Sequence, residues 1–225
     1  ARVPQRCVFA SVEERPAQYR AESVTESDGV THFSVVFAGG RIEIALPALG
    51  LHNVRNALTA FAVGTEAGVP ASVCAEALSR FVPSGSRQNI YEKNGLHIIA
   101  DCYNASPESM TAALSVLRGF PGRRIAVLGD MLELGAYAGR LHRDMGAAVC
   151  GAADLLFTIG SAAEQIAEGA AARGMPRERI RVFPADGHEA AAQALREIVR
   201  PGDSLLFKAS NRMNLKKVIE RMGIS

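Results

Sequence analysis

Four polar segments of the sequence carry side chains that could bind a charged ligand. They are Asp101-Cys102-Tyr103-Asn104-Ala105-Ser106, Gly129-Asp130-Met131, Gly160-Ser161 and Lys208-Ala209-Ser210-Asn211. Lysine binds carboxylate or phosphate, carboxylates accept hydrogen bonds from amines or ribose hydroxyls, and amides both donate and accept. The sequence therefore contains the groups of a polar binding site, provided that the fold brings these segments together.

Each segment follows an apolar run that predicts a β-strand. Strands are expected at 96–102, 124–128, 154–159, 180–183 and 204–207, and helices at 107–119, 139–150, 162–174, 187–200 and 213–222. This alternation is typical of an α/β fold with a doubly wound, Rossmann-like and mostly parallel sheet. The carboxyl ends of parallel strands share one edge of such a sheet, where helix N-termini also favour anions. We therefore expect the four segments to lie at one edge.

The residues before this region have a different pattern. Antiparallel strands are expected at 7–10, 19–25, 31–37 and 41–46, with Gly39-Gly40 in a tight hairpin. Two helices follow, and the first has an apolar face of Val54, Leu58, Phe61 and Ala62. The stretch 83–86 predicts a linker between two bodies. We therefore divide the chain into residues 1–85, which resemble part of a larger domain, and residues 86–225.

Composition excludes several classes of protein. The chain has 225 residues, of which 48% are hydrophobic, and its net charge is only +2, so nucleic acid is not an expected partner. No apolar run approaches the roughly 20 residues that span a bilayer, so membrane insertion is not expected. Four widely spaced cysteines fit a reducing cytoplasm. The sequence does not begin with Met, and we expect a piece of a longer, monomeric protein.

Several of these residues also have a purely structural interpretation. Ser106 before Pro107 is a typical helix N-cap, and Asn53 could cap the first helix in the same way. Asp130 could be a turn residue, whereas the apolar neighbours of Lys208 favour a positioned charge. The sequence contains neither GxGxxG nor GxxxxGK[ST]. His142 and Glu133 are too isolated to predict a zinc site, and no metal ligands are predicted.

Four motifs together resemble the Mur ligase superfamily. Residues 50–60 (GLHNVRNALTA) are similar to its GxHNxxNxxAA signature. Three further segments resemble motifs of its D-alanyl-D-alanine-adding members. Residues 101–110 resemble D-x-Y-N-A-N-P-x-S-M, and residues 208–213 resemble K-G-S-R-x-M. Residues 127–135, with the downstream His142, resemble VLGDMxELG. The chain departs from the family patterns at four places. It has Ser106 where the patterns have Asn, Ala209 where they have Gly, Asn211 where they have Arg, and Ser86-Arg87 where they have Gly-Arg.

The resemblance implies an ATP-dependent amide-bond ligase of peptidoglycan precursor synthesis. In this chemistry ATP and Mg²⁺ convert a carboxylate of UDP-N-acetylmuramoyl-tripeptide to an acyl phosphate, and the amine of D-alanyl-D-alanine attacks it. Residues 1–85 would be the C-terminal part of the ATP-binding central domain, and 86–225 the C-terminal domain. The phosphate loop is missing from this sequence. We therefore expect the chain to be inactive alone and the Mg²⁺ ligands to lie mainly in another part of the protein.

The resemblance also implies roles for individual residues. ATP would contact Asn53, Asn56, Arg87 and Asp101, and Lys208 and Asp130 would be catalytic. The dipeptide would be held by Tyr103, Asn104, Ser106, Lys208, Ser210 and Glu133. Two alternatives remain: another Mur-type ligase, which adds an amino acid or polyglutamate, and a non-catalytic regulatory domain that binds nucleotide or peptide.

Overall fold

The computed structural model describes residues 10–12, 17–82 and 88–225. The chain divides into two compact units, Ala1–Val82 and Pro83–Ser225. The predicted linker at 83–86 and Arg87 lie outside the described residues, as does most of the predicted strand at 7–10.

The first unit contains a four-stranded sheet. Its strands, in spatial order, are β1 (Ala10–Ser11), β2 (Tyr19–Ser27), β3 (Val30–Phe37) and β4 (Gly40–Leu46). Strands β2, β3 and β4 are antiparallel, and the pairing of Phe37 with Gly40 confirms the tight hairpin. Strand β1 pairs parallel with β2, so the expectation of an antiparallel first strand was wrong. An alternating sequence pattern shows which face of a sheet each side chain lies on, but it does not show whether two paired strands run parallel or antiparallel.

Two helices cover this sheet, α1 (Leu51–Glu66) and α2 (Ala71–Ser79). All four residues of the predicted apolar face of α1 are buried. They pack with buried strand residues such as Phe33 and Ile44 in the hydrophobic core of this unit. The prediction of an amphipathic first helix is therefore confirmed.

The second unit contains a six-stranded sheet. Its strands along the chain are β5 (Asn89–Lys93), β6 (Leu96–Asp101), β7 (Arg124–Gly129), β8 (Leu155–Ile159), β9 (Ile180–Phe183) and β10 (Ser204–Lys208), and their spatial order is β5-β6-β10-β7-β8-β9. The five parallel strands are those predicted. Strand β5 was missed, although Asn94-Gly95 before β6 is a strong hairpin signal. Both residues have the positive φ that a type I′ turn requires, 54° and 73°.

Helices lie on both faces of this sheet. They are α3 (Pro107–Arg118), α4 (Ala138–Cys150), α5 (Glu164–Ala172), α6 (His188–Ile198) and α7 (Lys216–Arg221). Helices α6 and α7 share one core with strand residues such as Ile98 and Phe207. Helices α3 and α5 contact the strands without joining that core, and α4 packs between them. The doubly wound fold is therefore confirmed. Within the described ranges, no helix combines the length and the apolar character that crossing a membrane requires.

Helices α4 and α5 meet backbone to backbone at two glycines. A Cβ at Gly146 would lie 2.2 Å from the Ala170 nitrogen, and one at Gly169 would lie 2.0 Å from the Arg143 carbonyl oxygen. Both distances are far below van der Waals contact, and neither obstacle is a side chain that could rotate away. The spacing of α4 and α5 therefore depends on glycine at both positions.

Gly146→Ala should lower the free energy of unfolding by about 2–4 kcal/mol, because the two helix backbones would have to separate. Gly139→Ala is the matched control in the same helix, since a Cβ there meets no atom within 4 Å. It should leave stability unchanged or raise it by up to about 1 kcal/mol. Urea unfolding of both variants measures the difference, and equal effects would show that α4 and α5 do not pack as described.

Candidate functional site

The carboxyl ends of three neighbouring strands lie level with one another. Lys208 at the end of β10 pairs with Asp101 of β6 on one side and with Leu128 of β7 on the other. The segments that follow these strands therefore leave the sheet at the same edge. This confirms that Lys208 and the segment containing Asn104 lie at one edge of the sheet, whereas a shared cleft for their side chains stays a prediction.

Lys208 is the most deeply buried charge at this edge. Its residue is 1% exposed, and its Nζ donates to Asp101 Oδ2 at 2.6 Å and to the Asn104 carbonyl oxygen at 3.0 Å. The second Asp101 oxygen, Oδ1, accepts from the Gln88 N–H at 3.2 Å. Buried charges need such partners, because their loss of hydration is otherwise uncompensated. Lys208 thus joins β10 to β6 and to the segment that follows β6.

The segment after β6 alternates between buried and exposed residues. Cys102 is buried, and its Sγ donates to the Phe207 carbonyl oxygen at 3.4 Å. Burial, followed by the nearby Asp101 charge, raises the pKa of the Cys102 thiol to about 12, so it stays protonated at neutral pH. Tyr103 is 45% exposed, and Asn104 beside it is also exposed. Tyr103 and Asn104 are therefore the accessible residues of this segment.

Ser106 begins helix α3. Its Oγ accepts from the Ser109 N–H at 3.3 Å, and Ser109 Oγ accepts in return from the Ser106 N–H at 2.9 Å, with Pro107 at the first helical position. This reciprocal capping box satisfies two N–H groups at the start of the helix. The interpretation of Ser106 as an N-cap is confirmed.

The segment after β7 is held by hydrogen bonds from its neighbours. The buried Asp130 accepts at Oδ1 from the Ala163 N–H at 2.7 Å, and its carbonyl oxygen accepts from the Ser210 N–H at 3.0 Å. Ser210 Oγ accepts from the Leu132 N–H at 2.9 Å. A Cβ at Gly160 would lie 2.2 Å from Asp130 Oδ1. Asp130 and Ser210 thus connect the ends of β7, β8 and β10.

His142 hydrogen-bonds to the segment after β7, although the sequence did not assign it a role in the site. It is fully buried, and its Nε2 accepts from the Met131 N–H at 2.8 Å. Its Nδ1 lies 2.7 Å from the Ala138 carbonyl oxygen, an acceptor, so Nδ1 carries the proton and the ring is neutral. Two signals were available: His142 lies downstream of the 127–135 motif, and His142, Met145 and Val149 lie on one buried face of α4.

Glu133 lies beyond these contacts and is exposed. Its φ is 66°, a left-handed conformation that is uncommon for a residue with a side chain and costs about 1 kcal/mol or more. Asn211 and Arg212 are also exposed at the end of β10. The accessible groups at the edge thus include a carboxylate, a guanidinium, two amides and a phenol. This combination suits a small ligand that carries one positive and one negative group.

The predicted ATP contacts are divided between the two units. Asn53 and Asn56 lie on α1 of the first unit, whereas Asp101 belongs to the second. The helix begins at Leu51 with Gly50 as its N-cap, so the interpretation of Asn53 as the N-cap was wrong. Asn53 instead donates from Nδ2 to the Leu49 carbonyl oxygen at 2.9 Å, and Asn56 is exposed.

Metal-binding side chains do not converge in the part of the chain that the structure describes. There, no three His, Cys, Asp or Glu residues are grouped so that they could hold an ion. Mg²⁺ is commonly bound by only one or two protein carboxylates together with substrate phosphates, so its binding does not require such a group.

Comparison with known proteins places the chain in a family. Residues 86–211 match the family described as Mur ligase, glutamate ligase domain, and residues 2–64 match the Mur ligase middle domain. The UDP-N-acetylmuramoyl-tripeptide--D-alanyl-D-alanine ligase of Bacillus subtilis (strain 168) is 37% identical over 207 residues, which cover 90% of this chain and 44% of that protein. The UDP-N-acetylmuramate--L-alanine ligase of Burkholderia multivorans is 37% identical over 118 residues, 49% of this chain and 25% of that protein.

A solved structure agrees with the fold. The crystal structure of a MurF ligase from Thermotoga maritima in complex with ADP has a TM-score of 0.79 at 24% identity, over 96% of this chain and 48% of that one. The chain thus spans less than half the length of these relatives. Since one family domain alone matches more than half of the sequence, the chain belongs to the Mur ligase family.

Proposed function

We propose that the chain is part of a cytoplasmic, monomeric ligase that adds D-alanyl-D-alanine to UDP-N-acetylmuramoyl-tripeptide. Residues 1–85 would be the C-terminal part of its ATP-binding central domain, and residues 86–225 its C-terminal domain. The observation that carries this proposal is the 37% identity over 207 residues to a Bacillus subtilis relative of that name, since it extends over 90% of the chain. A match of that extent includes both units rather than one motif.

The dipeptide would bind at the carboxyl edge of β6, β10 and β7. D-alanyl-D-alanine is a zwitterion, and the exposed groups there include both a guanidinium, Arg212, and a carboxylate, Glu133. Tyr103 and Asn104 would contact the dipeptide from the segment after β6. The resemblance implies catalytic roles for Lys208 and Asp130 and dipeptide contacts for Ser106, Lys208 and Ser210. All four residues already bond to protein groups, which supports a role in holding the dipeptide contacts in place.

The reaction joins the dipeptide nitrogen to the acyl carbon of the activated tripeptide and releases phosphate. The amine must first lose a proton, because an ammonium group has no lone pair with which to attack. Glu133 is the exposed carboxylate of the segment after β7, so it would orient the ammonium and accept that proton. The contribution of the described residues is thus positioning and proton transfer.

ATP would contact Asn53 and Asn56 of the first unit and Arg87 and Asp101 of the second. The chain lacks GxxxxGK[ST], the loop whose backbone N–H groups, lysine and hydroxyl bind the β- and γ-phosphates and Mg²⁺. Mg²⁺ would neutralise phosphate charge when bound. Its ligands would lie mainly in another part of the protein.

A ligase that adds L-alanine is the second candidate, favoured by the 37% identity to the Burkholderia multivorans relative. That match covers 49% of the chain, against 90% for the first. The two candidates differ in the nucleophile, a dipeptide amine in one and a single amino acid in the other.

The chain alone should show no substrate-dependent phosphate release, because nothing in it replaces the phosphate loop. The purified chain would be incubated with ATP, Mg²⁺, UDP-N-acetylmuramoyl-tripeptide and D-alanyl-D-alanine, beside the full-length Bacillus subtilis relative as the positive control. Release at a rate comparable to that control would contradict the proposed position of the ATP phosphates.

A chimera tests the proposed substrate. The matching region of the Bacillus subtilis relative would be replaced by this chain, which restores the missing part of a ligase. Phosphate release should then depend on D-alanyl-D-alanine, with L-alanine at least about 100-fold less effective, because the site would be built for a dipeptide. Release supported by UDP-N-acetylmuramate and L-alanine instead would favour the second candidate. A thermal unfolding profile like that of the parent establishes that the chimera is folded.

A further inference from the structure

The backbone of residues 130–133, here called the β7 loop, is held by three other elements. Asp130 is bonded to Ala163 and to Ser210, and the N–H groups of the next two residues, Met131 and Leu132, donate to His142 and Ser210. Successive residues of the loop are therefore fixed from the β8 side, from α4 and from the end of β10. Glu133 is the next residue and is exposed.

The acceptor on α4 is a buried side chain, the imidazole of His142. His142 is fully buried, and a bond from its Nδ1 to the Ala138 carbonyl oxygen orients the ring. The Met131 N–H, 2.8 Å from Nε2, can only donate, so Nε2 is the acceptor and Nδ1 carries the ring proton. The contact of Nδ1 with Ala138 thus fixes the tautomer of the ring, and the contact of Nε2 with Met131 fixes the loop.

The conformation of Glu133 shows why such fixation is needed. Its φ of 66° is one that residues with a side chain adopt rarely, and Glu133 is exposed. Such conformations persist where the surroundings determine them, and they are concentrated at functional sites. The bonds to Met131 and Leu132 are the constraints that immediately precede Glu133.

We propose that His142 is the positioning residue that holds the β7 loop so that Glu133 points toward an amine ligand at the sheet edge. The amine ligand rests on the proposed function, whereas the hold on the loop rests on the contacts above. Nε2 of His142 fixes the position of Met131, and Ser210 fixes the position of Leu132. Together they restrict Glu133 to the left-handed conformation, which removes the entropy cost of ordering this loop when the ligand binds.

Two substitutions of His142 separate the contacts of its two nitrogens. His142→Gln places an amide oxygen near the position of Nε2 and can still accept from the Met131 N–H. His142→Asn is one bond shorter, so it can reach Ala138 but not Met131. Val149→Ala is the control in the same helix, because Val149 is fully buried on the same face and lies two turns further along.

Two measurements on the 225-residue chain test the inference: amide hydrogen exchange at Met131 and Leu132, and calorimetric titration with D-alanyl-D-alanine. In His142→Asn we expect Met131 to exchange at least about tenfold faster and the dipeptide affinity to fall about tenfold, the effect of one lost buried hydrogen bond. His142→Gln should stay within about threefold of the unsubstituted chain in both. Val149→Ala should lower global stability without a selective change at Met131 or in affinity.

Three results would overturn the inference: unchanged protection of Met131 in His142→Asn, equal loss of affinity in the Asn and Gln variants, or an equal loss in Val149→Ala. Failure of the proposed function gives a different result. The unsubstituted chain would not bind the dipeptide, while His142→Asn would still raise the hydrogen-exchange rate of the Met131 amide selectively. In that case the hold on the β7 loop stands and the ligand is not D-alanyl-D-alanine.

Discussion

Lys208 carries a positive charge at a position that is 1% exposed, and this condition constrains the sheet edge around it. A buried ammonium is tolerated only with a carboxylate or several acceptors within hydrogen-bond distance. Asp101 and the Asn104 carbonyl oxygen meet that need at 2.6 and 3.0 Å. They belong to β6 and the segment after it, whereas Lys208 belongs to β10. The pairing therefore permits one relative arrangement of these strand ends.

A second set of bonds extends this arrangement to β7 and β8. Ser210, two residues after Lys208, bonds to both Asp130 and Leu132, and Asp130 bonds to Ala163 beyond β8. The exposed residues of the edge are thus carried on segments whose backbones are already fixed. Preorganisation of this kind favours ligand binding, because less motion has to be lost when the ligand arrives.

The sequence predicted the elements of this edge better than their contacts. Alternating apolar runs were sufficient for the five parallel strands, and Ser106-Pro107 for the start of α3. The apolar neighbours of Lys208 indicated a positioned charge, but its partner Asp101 is 107 residues away in sequence, and only the strand register brings the two together. Asn94-Gly95 signalled the hairpin before β6 and was overlooked. The direction of β1 and the acceptor role of His142 depend on tertiary contacts that local patterns do not contain.

The Lys208–Asp101 pair organises the sheet edge, and a double-mutant cycle tests this role most directly. The unfolding free energies of Lys208→Met, Asp101→Asn and the double variant give the coupling between the two side chains. A parallel cycle on Arg143 and Glu168, paired at 2.7 Å with side chains 59% and 49% exposed, provides the surface reference. We predict a coupling of about 2–3 kcal/mol for the buried pair and below about 0.5 kcal/mol for the surface pair. Equal couplings would contradict the claim.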